Sequence, residues 1–479
     1  MANNLWTAYE AAAATGGALC ARGGAPGEWL AEEWSAGGVS IDTRTLKPGE
    51  IFVALEDARD GHEFVRAAFE RGAAAALVAR APNDAPDGAP FLVVNDTLTG
   101  LRALAAAARG RNFGKRIGVT GSVGKTSTKE MLRTVLSACG QTHAADKSFN
   151  NHFGVPLTLA SLPMRADFGV FEIGMNHAGE ITPLTNLVCP HAAIITTVGE
   201  AHIENLGSRE AIAEAKAEIL SGVLAGGAAV LPYDNDFFEL LKQRAEEAGV
   251  TRLITFGEKE GADYQLISYT PSEAGGECVA LIKGTETPFS LSLPGKHHAL
   301  NALAVFAAAI AVGADPATVI KSISNFSAGA GRGARLTLDI GGKTVEVHDE
   351  SYNANPTSMR AAIEVLAATS PKEGARRIAI IGEMLELGPD APRYHAEIAN
   401  DLASAQVARV YAAGGLTEHL WTALPEAMRG GFAAKAEEIA AMLIDDVRDG
   451  DIILVKGSNA SKVGDVIKRL ESAGKQDQP

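Results

Sequence analysis

Residues 118–131 read GVTGSVGKTSTKEM. A short strand-like run, Lys115-Arg116-Ile117-Gly118-Val119, precedes the turn, and Met131, Leu132, Val135 and Leu136 recur behind it at helical spacing. The glycines therefore sit where a strand passes into a helix. The first N–H groups of that helix have no partner within it and point outward. They form a nest for an anion, which the helix dipole favours. Thr120, Gly121, Ser122 and Val123 make the turn, and Gly124 closes it. Gly121 and Gly124 let the backbone approach phosphate oxygens closely. Lys125 adds a positive charge, Thr126 offers a hydroxyl to a magnesium ion, and Ser127 follows in the first turn. A strict phosphate loop has a glycine at position 119, where valine stands here, so the pattern is a variant. The competing reading is an ordinary glycine turn with a chance lysine. Strand before, helix after and Lys-Thr inside favour nucleotide phosphate.

A chain of 479 residues is too long for one core, and several domains are expected. Polar residues 109–111 and the glycine-rich SAGAGRGA near 330 divide it into residues 1–112, 113–327 and 328–479. Strands and helices alternate in all three, which predicts an α/β protein. The first domain is a mixed α/β unit with two strands about the Pro-Gly turn in VSIDTRTLKPGEIFVAL. The central one is a parallel sheet of ATPase type covered on both faces, with antiparallel hairpins in YTPSEAGGECVALIKGTETPFSLSLPG. The last is a Rossmann-like α/β unit with strands near 344–347, 377–381, 407–412 and 452–455.

A net charge of −15 argues against nucleic-acid binding, which needs a basic face. Four scattered cysteines without a Cys-x-x-Cys pair fit a reducing cytosol and no zinc site. The start lacks a secretory pattern and no apolar run reaches membrane-spanning length, so a cytoplasmic protein without membrane insertion is expected.

In open parallel sheets, ligands gather at the carboxyl ends of strands. Glu172 ends one apolar strand, and His202 follows another. A carboxylate and an imidazole there could hold magnesium with Thr126; a lone surface histidine is the alternative for His202. Lys216 lies four residues after Ile212, on a stripe with Ala215, Ile219, Leu220 and Val223. Either it snorkels to water, or it is a buried functional lysine with a lowered pKa. In VHDESYNANPTSM, Asn355 suits a helix N-cap and Pro356 the first helical position. Asp349, Glu350, Tyr352 and Asn353 crowd the turn before it. Lys456 and Ser458 end another strand in a glycine turn and could meet an anion.

With these pieces in order, the chain resembles the Mur ligases, ATP-dependent enzymes that add amino acids to the peptidoglycan precursor. The resemblance covers nearly the whole length, through SIDTRTLKPGEIFVAL, GVTGSVGKTSTKEM, NNHFGVPLTLA, EIGMNHAGEI, AHIENLGS, AKAEIL, PGKHHALNA, DESYNANPTSM, IGEMLELG and LVKGSNAS. SYNANP and GEMLELG most resemble the member that joins D-alanyl-D-alanine to UDP-N-acetylmuramoyl-tripeptide. The resemblance implies ATP and magnesium, a monomer, and a UDP-sugar role for the first domain. It implies that Lys125 and Thr126 serve ATP phosphates, that Glu172 and His202 serve magnesium, and that Lys216 is carbamylated. It places Asn301 at adenine, Arg335 and Glu350 facing ATP, and Ser40, Asp42, Thr43 and Arg44 at the UDP-sugar. Asn150 and Asn151 fall near the junction of substrate and nucleotide, and Tyr352, Asn353, Asn355, Lys456 and Ser458 beside the substrate.

This chain departs from the family pattern in three places. His298 replaces an asparagine in the adenine segment, Arg335 follows Ala334 with Arg332 as a nearby rival, and Asn459 stands where arginine is common. The rival readings are the sister ligase that adds the third amino acid, whose Asp-Asn-Pro-Arg signature is echoed by DAPR at 390–393, folate polyglutamation, and a non-catalytic nucleotide switch.

Overall fold

The computed structural model describes residues 4–21, 34–272, 275–327 and 329–476. Three larger sheets follow one another along the chain. In the first, Gly38–Ser40, Glu50–Val53, Ala75–Val78 and Pro90–Val93 pair in parallel, and Ala18–Ala21 closes one edge antiparallel. The two strands about the Pro-Gly turn are thus parallel neighbours. The alanine-rich helix Thr97–Arg111, capped by Asp96, buries Leu101, Leu104, Ala105 and Ala108. The Trp6 indole N–H donates to the Ala160 carbonyl at 3.0 Å, tying this unit to the next.

The central sheet has nine strands. Those from Thr142–Ala144 across to Tyr264–Ser272 are parallel, and Gly275–Ile282 and Thr285–Leu291 add the antiparallel hairpins. Strand Lys115–Thr120 lies between Phe168–Glu172 and Ala192–Ile195. The chain moves to one side of it and later to the other, so a crevice opens at their carboxyl ends. Ile117, Val119, Val170, Ile194 and Val230 are fully buried, as expected of strands covered on both faces. Helix Lys296–Ala311 is apolar around its circumference and buried beneath this sheet.

The third sheet runs Ala334–Ile340, Lys343–Glu350, Ile452–Lys456, Arg377–Gly382, Arg409–Ala413, Arg429–Ala433. Only the first pair is antiparallel. The sequence pattern found the four inner strands and passed over the two edges. Arg429–Ala433 carries two glycines and little strand propensity. Ala334–Ile340 starts at the last residue of the glycine-rich stretch read as a linker, of which residue 328 lies outside the described residues.

Candidate functional site

The phosphate loop is held from outside and left open inside. The Ser122 N–H donates to Thr197 O at 2.9 Å, and the Ser122 hydroxyl donates to Gly199 O at 3.0 Å. The Thr196 hydroxyl donates to Val123 O at 2.6 Å. Helix Lys125–Ser137 starts at Gly124 without any side-chain cap, so its first N–H groups remain available to a ligand. Gly124 has φ 84°, and a Cβ on Gly121 would stand 1.9 Å from the Thr196 hydroxyl. Backbone alone fits there. The loop borders a cavity of about 970 Å³ between the central and third sheets.

Beneath the loop lies a set of hard oxygens. The Thr126 hydroxyl donates to Glu172 Oε2 at 2.8 Å. Ser148 and Asn150 both donate to Glu172 Oε1 at 2.7 Å. Glu172 is buried and lines the cavity. Oxygens of this kind suit magnesium, and the uncapped nest above them suits phosphate. Ser148 was missed by the sequence reading, although it lies two residues before Asn150 in KSFNN. Asn151 accepts the Phe153 and Gly154 N–H groups and so anchors the next helix.

The structure brings the four predicted metal residues together only in part. Thr126 and Glu172 meet. His202 lines the cavity, but its Nδ1 faces Glu386 Oε2 of the GEMLELG segment at 2.5 Å. Lys216 is buried in helix Arg209–Ala217 and is not among the cavity-lining residues. Its side-chain amine makes no hydrogen bond or ion pair among the described residues, and its carbonyl accepts the Glu218 N–H. Burial, aided by the charge of Lys125, pushes its amine well below the usual lysine range. Of the two readings of this stripe residue, the buried one holds. The helix stops at Ala217, and Glu218 turns away to accept the Gly179, Ile181 and Thr182 N–H groups. Lys125 donates to Gly121 O at 2.7 Å, and burial lowers its pKa too.

The third sheet supplies the opposite wall. Glu350, Tyr352, Asn353, Asn355 and Lys456 line the cavity. Lys456 is buried, donates to Asn353 O at 2.9 Å and lies 3.7 Å from Glu350 Oε2. Burial raises the Glu350 carboxyl. Asn355 is the N-cap that the sequence suggested, accepting the Ser358 N–H at 2.9 Å with Pro356 next. Ser458 does not line the cavity. Its hydroxyl joins Ala354 O and the Leu385 N–H, so it pins loops together. Arg335 is likewise not among the lining residues; it points along the edge strand to Glu346, 3.4 Å away. Arg332 takes the cavity position, stacked over the Tyr352 ring at 3.7 Å. Arg332 lies in the turn before the edge strand and Arg335 within the strand, a difference that local spacing does not reveal.

At the far end Asn301 packs on Gly124, beside His297 and His298. Burial and the Lys456 charge push His297 down to about 4. His298 Nδ1 is buried without a partner among the described residues. The turn at residues 40–44 stands apart from the cavity lining. Ser40 accepts the Asp42 N–H, and Asp42 is held by Arg44 at 2.7 Å, which lowers its carboxyl. Thr43 is half-buried and Arg44 exposed. The DAPR stretch is also not among the cavity-lining residues. Arg393 is half-exposed and pairs with Asp390 and Glu397 on the surface.

Comparison with known proteins gives two family matches: residues 119–309 to the Mur ligase middle domain, and residues 335–459 to the Mur ligase, glutamate ligase domain. UDP-N-acetylmuramoyl-tripeptide--D-alanyl-D-alanine ligase of Bacillus subtilis (strain 168) is 37% identical over 443 residues, covering 90% of this chain and 93% of that protein. The crystal structure of MurF from Acinetobacter baumannii superposes with a TM-score of 0.84 at 29% identity, covering 98% of this chain and 99% of that one. MurF ligase from Thermotoga maritima in complex with ADP gives a TM-score of 0.75 at 25% identity, covering 92% and 98%.

Proposed function

The chain belongs to the Mur ligase family, and from that premise we propose that it joins D-alanyl-D-alanine to UDP-N-acetylmuramoyl-tripeptide at the expense of ATP, in cytoplasmic synthesis of the peptidoglycan precursor. One observation carries the chemistry. A single cavity has an open phosphate nest on one wall and a cationic, polar loop from another sheet on the other. Phosphoryl transfer asks for placement and charge neutralisation rather than covalent help, and these two walls offer both. The choice of acceptor is supported by the named relative, and by the surface position of the DAPR stretch that echoed the sister ligase. Four free cysteines fit the reducing compartment.

A tripeptide carboxylate oxygen attacks the γ-phosphorus, the bond to ADP breaks, and an acyl phosphate forms. The amine of D-alanyl-D-alanine attacks the acyl carbon, loses a proton, and phosphate leaves. The helix N-terminus and Lys125 hold phosphate oxygens. Thr126 and Glu172, with His202, would hold magnesium, which neutralises charge on the nucleotide when bound. Lys216, buried but outside the cavity lining, would add two hard oxygens as a carbamate: its neutral amine takes up carbon dioxide, releases a proton and becomes an anion. Asn301 and Arg332 face the nucleotide, Glu350, Tyr352, Asn353 and Lys456 the reacting end, and Asp42 to Arg44 the UDP-sugar. Closure of the two walls keeps water from the acyl phosphate.

Oxygen-18 in the tripeptide carboxylate tests the scheme. Mass spectrometry is expected to find one labelled oxygen in the released phosphate and one in the pentapeptide amide. Unlabelled phosphate alongside labelled product would exclude an acyl phosphate.

A further inference from the structure

We propose that Glu386 is a positioning residue: its carboxylate fixes the His202 imidazole with the proton on Nδ1, so that Nε2 is presented to the cavity only when the third sheet is docked on the central one. The inference rests on the assignment of His202 to the metal made above.

The two residues come from different sheets. His202 follows strand Ala192–Ile195, and Glu386 lies in the turn after strand Arg377–Gly382. Both have φ 62°, a left-handed conformation that is unfavourable for a non-glycine residue and persists where surroundings enforce it. Here the enforcement is mutual. The Glu204 N–H donates to Glu386 O at 3.2 Å, and His202 starts the short helix Ile203–Leu206. Gly388 lies against Glu204, where a Cβ would reach its Cα at 3.4 Å. Beside this contact the Thr357 hydroxyl donates to Glu200 Oε2 at 3.0 Å, a second bond between the same two units.

Glu386 Oε2 lies 2.5 Å from His202 Nδ1, and that nitrogen has no other partner among the described residues. A carboxylate only accepts, so the nitrogen facing it carries the proton. In a neutral imidazole Nε2 then keeps its lone pair, the form a metal binds. The other acid of the segment, Glu383, is engaged elsewhere, accepting the Leu416 N–H at 3.0 Å. Glu386 thus ties occupancy of the phosphate end to arrival of the opposite wall.

The test compares Glu386→Gln and Glu386→Ala with His202→Ala and Thr357→Val in the full chain. Glu386 is half-exposed, so these variants are expected to fold, which thermal unfolding checks. Both Glu386 variants should raise the magnesium concentration for half-maximal ADP formation roughly tenfold to a hundredfold. Nitrogen-15 spectra of histidine-labelled protein, assigned with His202→Ala, give a readout free of turnover. Wild type and Thr357→Val should show His202 with Nδ1 protonated and Nε2 bare, and Glu386→Gln should lose that preference. If His202→Ala raises the magnesium requirement but the Glu386 variants change neither the requirement nor the tautomer, this inference falls alone. If His202→Ala leaves the requirement unchanged, the metal assignment falls with it.

Discussion

Lys216 shows how a single side chain can carry more information than its motif. Its place on an apolar stripe was visible in the sequence, and the structure buries it without a counter-ion among the described residues. An ammonium there would be costly, whereas an amine is not. Lys216→Ala should therefore fold normally, lose nearly all ligase activity, and regain part of it with added short carboxylic acids, which replace the missing carbamate oxygens. Full activity of Lys216→Ala in degassed buffer would contradict the carbamate. Other single residues were harder to place. Local spacing put Glu172 at a strand end, Thr126 at a helix start and Asn355 at a helix N-cap, and the fold has them there. It could not tell Arg332 from Arg335, because that choice depends on whether the turn or the edge strand after it meets the cavity. Nor could it see Ser148 or Glu386, whose contacts span 24 residues and two sheets respectively.

The phosphate loop works because neighbouring strands grip it. Thr196 and Thr197 hold its outer edge, so its inner N–H groups stay free. Gly121 is the pinch point. Its φ of 151° and the 1.9 Å approach of the Thr196 hydroxyl to an added Cβ leave no room for alanine. Gly121→Ala should lower kcat/KM at least tenfold, the equivalent of about 1.4 kcal/mol, and reduce the thermal midpoint. Adding Thr196→Ala removes the clashing oxygen and should restore part of the activity. A Gly121→Ala enzyme with wild-type kinetics would show that the loop does not approach the ligand in this way. Elements of this kind were visible in the sequence because glycine, lysine and helical spacing act locally. The two edge strands of the third sheet were not, since pairing rather than propensity makes them strands.

The assembled chain places its chemistry between sheets rather than within one. The alternation of strands and helices announced three α/β units, and the structure shows that the central and third sheets share one cavity. No sequence pattern gives the angle at which two sheets meet, so the pairing of His202 with Glu386 and of Thr357 with Glu200 could only be seen in three dimensions. On the proposed reading, in which one wall binds phosphate and the other receives the acceptor, both substrates must be present for ATP to be consumed productively. ADP release with UDP-N-acetylmuramoyl-tripeptide, measured with and without D-alanyl-D-alanine, tests this most directly. Sustained ADP formation should require both the tripeptide nucleotide and the dipeptide. Equal turnover with a free single amino acid in place of the dipeptide would contradict it and point to the sister ligase.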